Sequence, residues 1–180
     1  MLKSIKRVEG NDASLHTKNS DELYLGLISD VNRSSFEANE TTGKATLAMQ
    51  TGKHLVRLGC KAASVVPTVE AGETPLTEKT TVAAVLDGAE AKTVQAVRRM
   101  RGSRVIVVWK RCIDGRMFLA GTPCSDGMRM RVTSIGAQDG GENGIALSFE
   151  GGECPESYFE LTNTADEIDA MVESESGTEE

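Results

Sequence analysis

Between residues 104 and 159, short apolar runs alternate with turn residues. Val105-Ile106-Val107-Val108-Trp109 is apolar and largely β-branched, the pattern of a buried strand. Asp114-Gly115 marks a tight turn, and Met117-Phe118-Leu119-Ala120 is the return strand. A second pair follows, from Met128 to Thr133 and from Ile145 to Glu150, joined by the loop Asp139-Gly140-Gly141-Glu142-Asn143-Gly144. The pattern predicts two successive β-hairpins, a meander, as the core sheet. Gly151-Gly152 ends its last strand, and Ser157 to Leu161 forms a final short strand or docking segment.

Upstream the pattern is weaker. Residues 1–20 are polar and irregular and read as an N-terminal arm. Glu22 to Ile28 is the first apolar element, a strand or a short helix. Residues 32–53 are rich in Ser, Thr, Asn and Gly, with a faint alternation over Ala45-Thr46-Leu47-Ala48-Met49. Loops above ~15 residues are uncommon in compact domains unless they bind or assemble. This stretch is therefore a surface loop, a protruding hairpin or an inter-subunit arm. His54 to Cys60 and Ala62 to Val66 read as strand pieces, with Pro67 placing the second at an edge. Residues 70–78 read as a loop, and Thr80 to Leu86 as a strand ended by Asp87-Gly88.

One helix is clear, over residues 89–101. Ala91, Val94, Val97 and Met100 fall on one slowly drifting face, away from Lys92, Gln95, Arg98 and Arg99. Asp87 is a candidate N-cap, or Glu90 complements the first-turn dipole. Gly102 suits the position after the last turn.

At 180 residues the chain predicts one domain, residues 21–161, followed by an acidic tail over residues 162–180, in which Asp166 to Val172, with Ile168, Met171 and Val172 apolar, reads as one helical turn or two. That tail carries seven acids and no base, whereas the net charge of the whole chain is −7, so the remainder balances near zero. Bases gather between Arg98 and Arg131. They belong to a solvated face, pair with the acidic tail of the same or a neighbouring subunit, or contact nucleic acid. At 4% aromatic residues, a base-stacking platform is disfavoured. The start, Met1-Leu2-Lys3-Ser4-Ile5-Lys6-Arg7, lacks the apolar core of a signal peptide, and no run approaches the ~20 apolar residues of a membrane span.

No catalytic, cofactor or metal site is predicted. Cys60, Cys112, Cys124 and Cys154 form no Cys-x-x-Cys pair, and only His16 and His54 are available beside them. Reduced thiols in a cytoplasmic setting are the simplest reading. There is no Gly-x-Ser-x-Gly elbow, and Gly140, Gly141 and Gly144 open no helix and precede no Gly-Lys-Ser/Thr. Cys112 and Cys124 either meet across the Asp114-Gly115 hairpin or, as the simpler reading, remain separate reduced thiols in the core or at the surface.

The order strand, helix, Val-Ile-Val-Val-Trp-Lys, Asp-Gly, Phe-Leu-Ala-Gly, Gly/Asn-rich loop and Ile-Ala-Leu-Ser-Phe-Glu-Gly resembles structural proteins of tailed bacteriophages, most of all the tail-tube family. The resemblance covers roughly residues 64–159. It implies a mainly β (α+β) fold, an antiparallel β-sandwich or half-open barrel with one flanking helix. It also implies a non-enzymatic virion protein without cofactors, whose subunits form rings, commonly hexameric, that stack into a DNA conduit. Its partners would be itself and other tail or neck proteins, with DNA only passing through. Residues 32–53 stand where tube proteins carry a loop that contacts the next ring. Alternatives are a head–tail connector, neck or capsid-decoration protein, and a nucleic-acid-binding β-barrel using Lys110, Arg111, Arg116, Arg129 and Arg131. On the assembly reading, deleting residues 32–53 should leave a folded monomer that no longer assembles.

Overall fold

The computed structural model describes residues 19–39, 41–137 and 143–172. Its strands are β1 (Asn19–Leu27), β2 (Glu37–Asn39), β3 (Lys44–Thr46), β4 (Val56–Gly59), β5 (Val66–Ala71), β6 (Glu78–Asp87), β7 (Arg104–Arg111), β8 (Met117–Ala120), β9 (Met128–Ala137), β10 (Asn143–Gly151) and β11 (Tyr158–Leu161). The helices are α1 (Ala91–Met100) and α2 (Ala165–Ala170). The fold is mainly β, a single mixed sheet of eleven strands, not closed into a barrel. Its path runs β2-β3-β11-β8-β7-β9-β10-β6-β5, with β1 branching off β7 and β4 lying on β1.

The apolar run at Val105 is the hub. One edge of β7 is paired with β1, from Leu27 opposite Val105 to Asn19 opposite Arg111. The other edge is shared. β8 takes Val107 to Lys110, and β9 takes Arg104 and Val105. The two predicted hairpins are therefore present, β7–β8 and β9–β10, but they do not form a simple meander. β8 and β9 follow one another along the same edge of β7. The segment 121–127 loops out between them and requires left-handed backbone, with φ +82° at Gly121 and +70° at Gly127. A Cβ on Gly121 would sit 2.8 Å from the Val105 carbonyl oxygen, so only glycine lets the chain turn this close to β7.

Side chains alternate across a strand, so β7 feeds two cores. Val105, Val107 and Trp109 join Leu23, Leu25, Val82, Leu86, Met130, Leu147 and Phe149 on one side. Ile106 and Val108 join Tyr24, Leu47, Leu55, Leu119, Phe159 and Ile168 on the other. Each fully buried aliphatic or aromatic side chain contributes roughly 1.5–3 kcal/mol. A strand with a core on both faces has no polar position to spare, which explains its unbroken apolar sequence.

The helix expected over residues 89–101 is α1. Val97 is buried in the first core and Val94 and Met100 pack against it. Glu90 is the N-cap residue, without a side-chain capping bond, and Gly102 follows the last turn at φ +84°. α2 packs on the second core through Ile168, which is fully buried. A capping box starts it: the Glu167 amide donates to Thr164 Oγ1, and the Thr164 amide to Glu167 Oε2. The structured domain thus runs past the boundary expected at residue 162, because Ile168, Met171 and Val172 complete a core that the sheet alone leaves open.

Other boundaries also move. Asn19 and Ser20, the last two residues of the expected N-terminal arm, belong to β1; the rest of that arm lies outside the described residues. The segment read as a loop over residues 70–78 is shorter. β5 runs to Ala71, β6 starts at Glu78, and Glu153 braces the turn by accepting from the Glu73 amide (3.0 Å) and from Thr77 Oγ1 (3.1 Å). One pair in the sheet, β3 with β11, is parallel rather than antiparallel. More than a hundred residues separate these strands, so no hairpin constrains their direction.

Candidate interaction surface

The main path of the sheet ends on two strands of different character. At one end β2 forms a hairpin with β3, and Glu37, Ala38 and Asn39 are all exposed. Its turn is closed by Asn39, whose Oδ1 accepts from the amides of Thr41 (3.0 Å) and Thr42 (3.1 Å). Beneath it, β3 is firmly seated. The Ala45 carbonyl accepts from the Thr162 amide at 2.9 Å, and the Leu47 amide donates to Asn163 Oδ1 at 2.8 Å. Because the Ala45 carbonyl points to β11, its partner Ala38 directs its own amide and carbonyl to the open side.

At the other end, β5 is an edge strand as Pro67 predicts. The Gly72 amide donates to the Thr77 carbonyl at 2.8 Å. Counting back by alternation, Pro67 occupies a position that faces away from β6. Its ring removes the donor an incoming strand would need there, a common protection of sheet edges. Among the described residues, no strand pairs with the outer edge of β2, whereas Pro67 blunts that of β5.

The expected consequence of removing residues 32–53 needs correction. Ala45 and Leu47 are 1% exposed and lie in the second core. The amide of Asn32 also donates to the Ala48 carbonyl, and that of Gln50 to the Asp30 carbonyl, both at 2.9 Å. Deleting the whole stretch would open a core, so the loss of assembly could not be separated from loss of fold. The surface component is β2 and its turn.

The bases singled out in the sequence are spread over the β7–β8 hairpin and β9. Arg111 is clamped by Asp114 through two bonds, one of them Nε to Oδ1 at 3.0 Å. Arg116 lies 3.1 Å from both Asp114 and Glu160, and Arg131 lies 3.4 Å from Glu150. The Arg111 guanidinium bonds hold the Asp114 carboxyl down to about 2. Among the described residues, Lys110 and Arg129 have no acidic partner within 4 Å, and Arg129 stands opposite Arg104 across β7 and β9.

The Arg111 guanidinium also lies 4.9 Å from the centre of the Phe118 ring. Phe118, Trp109 and Tyr158 form a cluster with ring centres 5.4–6.2 Å apart. Burial pushes the Tyr158 hydroxyl up to about 12. The signal for this cluster was in the sequence: Trp109 and Phe118 are equidistant from the centre of a hairpin pairing Lys110 with Met117.

Groups with reactive potential are dispersed. Cys112 is exposed in the β7–β8 turn, while Cys60 and Cys154 are buried. The Cys112–Cys124 approach does not occur at the level of the backbone, since residue 124 lies in the excursion after β8, at the far end of that hairpin. Burial pushes the Cys60 thiol up to about 12. His54 is exposed, and His16 lies outside the described residues. The loop with Gly140 and Gly141 also lies outside them, and Gly144 is in β10 opposite Asp87. Among the described residues, no group of three or more His, Cys, Asp or Glu side chains is arranged to hold a metal.

No protein family, no curated protein and no solved structure matches the chain. No helix among the described residues is long and apolar enough to cross a membrane.

Proposed function

We propose that the chain is a non-enzymatic structural subunit that acts by self-assembly, and that its setting is the tail tube of a tailed bacteriophage virion. The observation that carries self-assembly is the unequal pair of sheet ends, an open β2 and a blunted β5. A strand with an unpaired edge is a template for another strand, and natural monomers normally block it. Among the described residues, Pro67 blocks the β5 end of the main path, and β2 at the other end has no strand on its outer edge. Paired with the same edge of a second copy, β2 would close a two-fold dimer; paired with a different segment of the next copy, it makes a heterologous contact, which closes into rings or continues into filaments. The phage setting rests on the order of strands, helix and hairpins, and the other virion tail or neck proteins would be its partners.

A nucleic-acid-binding role has less support. Arg111, Arg116 and Arg131 are engaged by Asp114, Glu160 and Glu150 within the fold, which lowers the field they offer to a phosphate backbone. DNA in a conduit formed by an acidic subunit would pass without being gripped.

Negative-stain electron microscopy of the purified full chain over a concentration series, with light scattering alongside, tests the proposal. Rings or tubes of uniform diameter are expected. Tubes identify a tail component, whereas rings that never stack identify a neck or head component. A monodisperse monomer at every concentration, with steeply salt-dependent DNA binding, would replace the proposal with the nucleic-acid reading.

A further inference from the structure

The central strand divides the molecule electrically as well as sterically. α1 packs on the core fed by Val105, Val107 and Trp109, through Val97. α2 packs on the core fed by Ile106 and Val108, through Ile168. Successive side chains of a strand point to opposite faces, so the two helices lie on opposite sides of the β7 partition.

The helices carry opposite charge. The outer face of α1 presents Lys92, Arg98 and Arg99, all exposed, and Arg101 follows at its end. None of these four has an acidic partner within 4 Å among the described residues. α2 presents Asp166, Glu167 and Asp169, with no base on it. The sequence continues with Glu173, Glu175, Glu179 and Glu180. Asp169 is pinned on its own side of the partition, because its Oδ1 accepts from the Tyr24 hydroxyl at 2.8 Å.

We infer that the basic outer face of α1 docks the acidic C-terminal region of a second copy of the chain, the α2 helix and the acids after it. Charge complementarity chooses the occupant, and the partition between the helices sets the geometry. A molecule cannot satisfy its own α1 with its own α2, so the contact runs from one copy to the next and repeats. Such a contact is heterologous and propagates along one direction. This inference rests on the self-assembly reading and assigns it a second interface, distinct from the β2 edge.

The test uses the full chain and sedimentation velocity over a concentration series at low and high salt. Three forms are compared: the parent, Arg98→Glu/Arg99→Glu, and Glu173→Lys/Glu175→Lys/Glu179→Lys. Each charge-reversed form should need at least roughly tenfold more protein to assemble, and mixing the two, or combining both sets in one chain, should restore association. Raising the salt should weaken the parent in the same direction. Arg98 and Arg99 are exposed on α1, and circular dichroism of each form verifies the fold. If the parent assembles and both reversed forms match it at every salt concentration, the helix contact is overturned while self-assembly stands. If the parent never assembles, both fall.

Discussion

The Tyr24 hydroxyl donates to Asp169 Oδ1 at 2.8 Å, joining residues 145 positions apart in the chain. Tyr24 is 1% exposed, in the middle of β1, and Asp169 is an exposed residue of α2. The same hydroxyl reaches Glu22 Oε2 at 3.2 Å. Burial, followed by the bond to Asp169, pushes the tyrosine hydroxyl well above its usual range, so it remains a donor at any ordinary pH. Together with the Leu55 amide donating to the Met171 carbonyl at 2.8 Å, this bond fastens the C-terminal helix to the sheet.

Replacing Tyr24 by Phe keeps the ring in the second core and removes only the bond. The expected loss is about 1 kcal/mol, because Asp169 is exposed and regains water. For a chain of this size that corresponds to a melting point lower by roughly 2–4 °C. Calorimetry reads it, and hydrogen exchange should show the extra opening concentrated in α2 rather than in β7.

The excursion between β8 and β9 makes a sharper prediction. Alanine at Gly121 would need φ +82° and would place its Cβ 2.8 Å from the Val105 carbonyl oxygen and 2.7 Å from Met128 Cγ. A loss of about 2–4 kcal/mol is expected for Gly121→Ala in urea unfolding. Gly152→Ala is the control. There the nearest atom, the Ser125 carbonyl oxygen, is 3.5 Å away, an ordinary contact, and stability should barely change.

Asp114 sets a pH dependence of defined sign. Its folded carboxyl is held at about 2, chiefly by the Arg111 bonds, below the ordinary value of about 3.9. A depressed acid stabilises the fold above its unfolded value and loses that contribution as the pH falls from about 4 through 2. Asp114→Asn should therefore destabilise at neutral pH and flatten the acid limb of the stability curve. An unchanged acid limb would show that the clamp does not act in solution. The group is largely solvent-facing, so the effect is small.

Much of this architecture is legible in the sequence, and the losses have physical causes. The strands at Val105, Met117, Met128 and Ile145 are clear because apolar runs are bounded by glycine and aspartate turns. α1 is clear because Val94, Val97 and Met100 share a face. What alternation along one strand cannot encode is which strand lies beside it. The sharing of one β7 edge by β8 and β9, and the parallel seat of β3 on β11, depend on residues far apart in sequence. Ile168, Met171 and Val172 made a turn or two of helix legible, but not that α2 docks on the core. Asp166, Glu167 and Asp169 read as solvated tail, yet one cap residue, Thr164, and one buried residue, Ile168, are enough to fold it onto the core. The open edge at Ala38 was inside a stretch marked for assembly, but its own residues carry no signal beyond exposure.

The most direct measurement of the central claim is sedimentation velocity of the full chain against Ala38→Pro. Proline at this position removes a single amide that faces the open side of β2, and every bond between β2 and β3 remains. The parent should form large species as concentration rises, while Ala38→Pro should keep the parent's melting point and form markedly smaller species at the same concentration, held by the helix contact alone. Assembly of Ala38→Pro indistinguishable from the parent would contradict the claim that the open edge of β2 joins one subunit to the next.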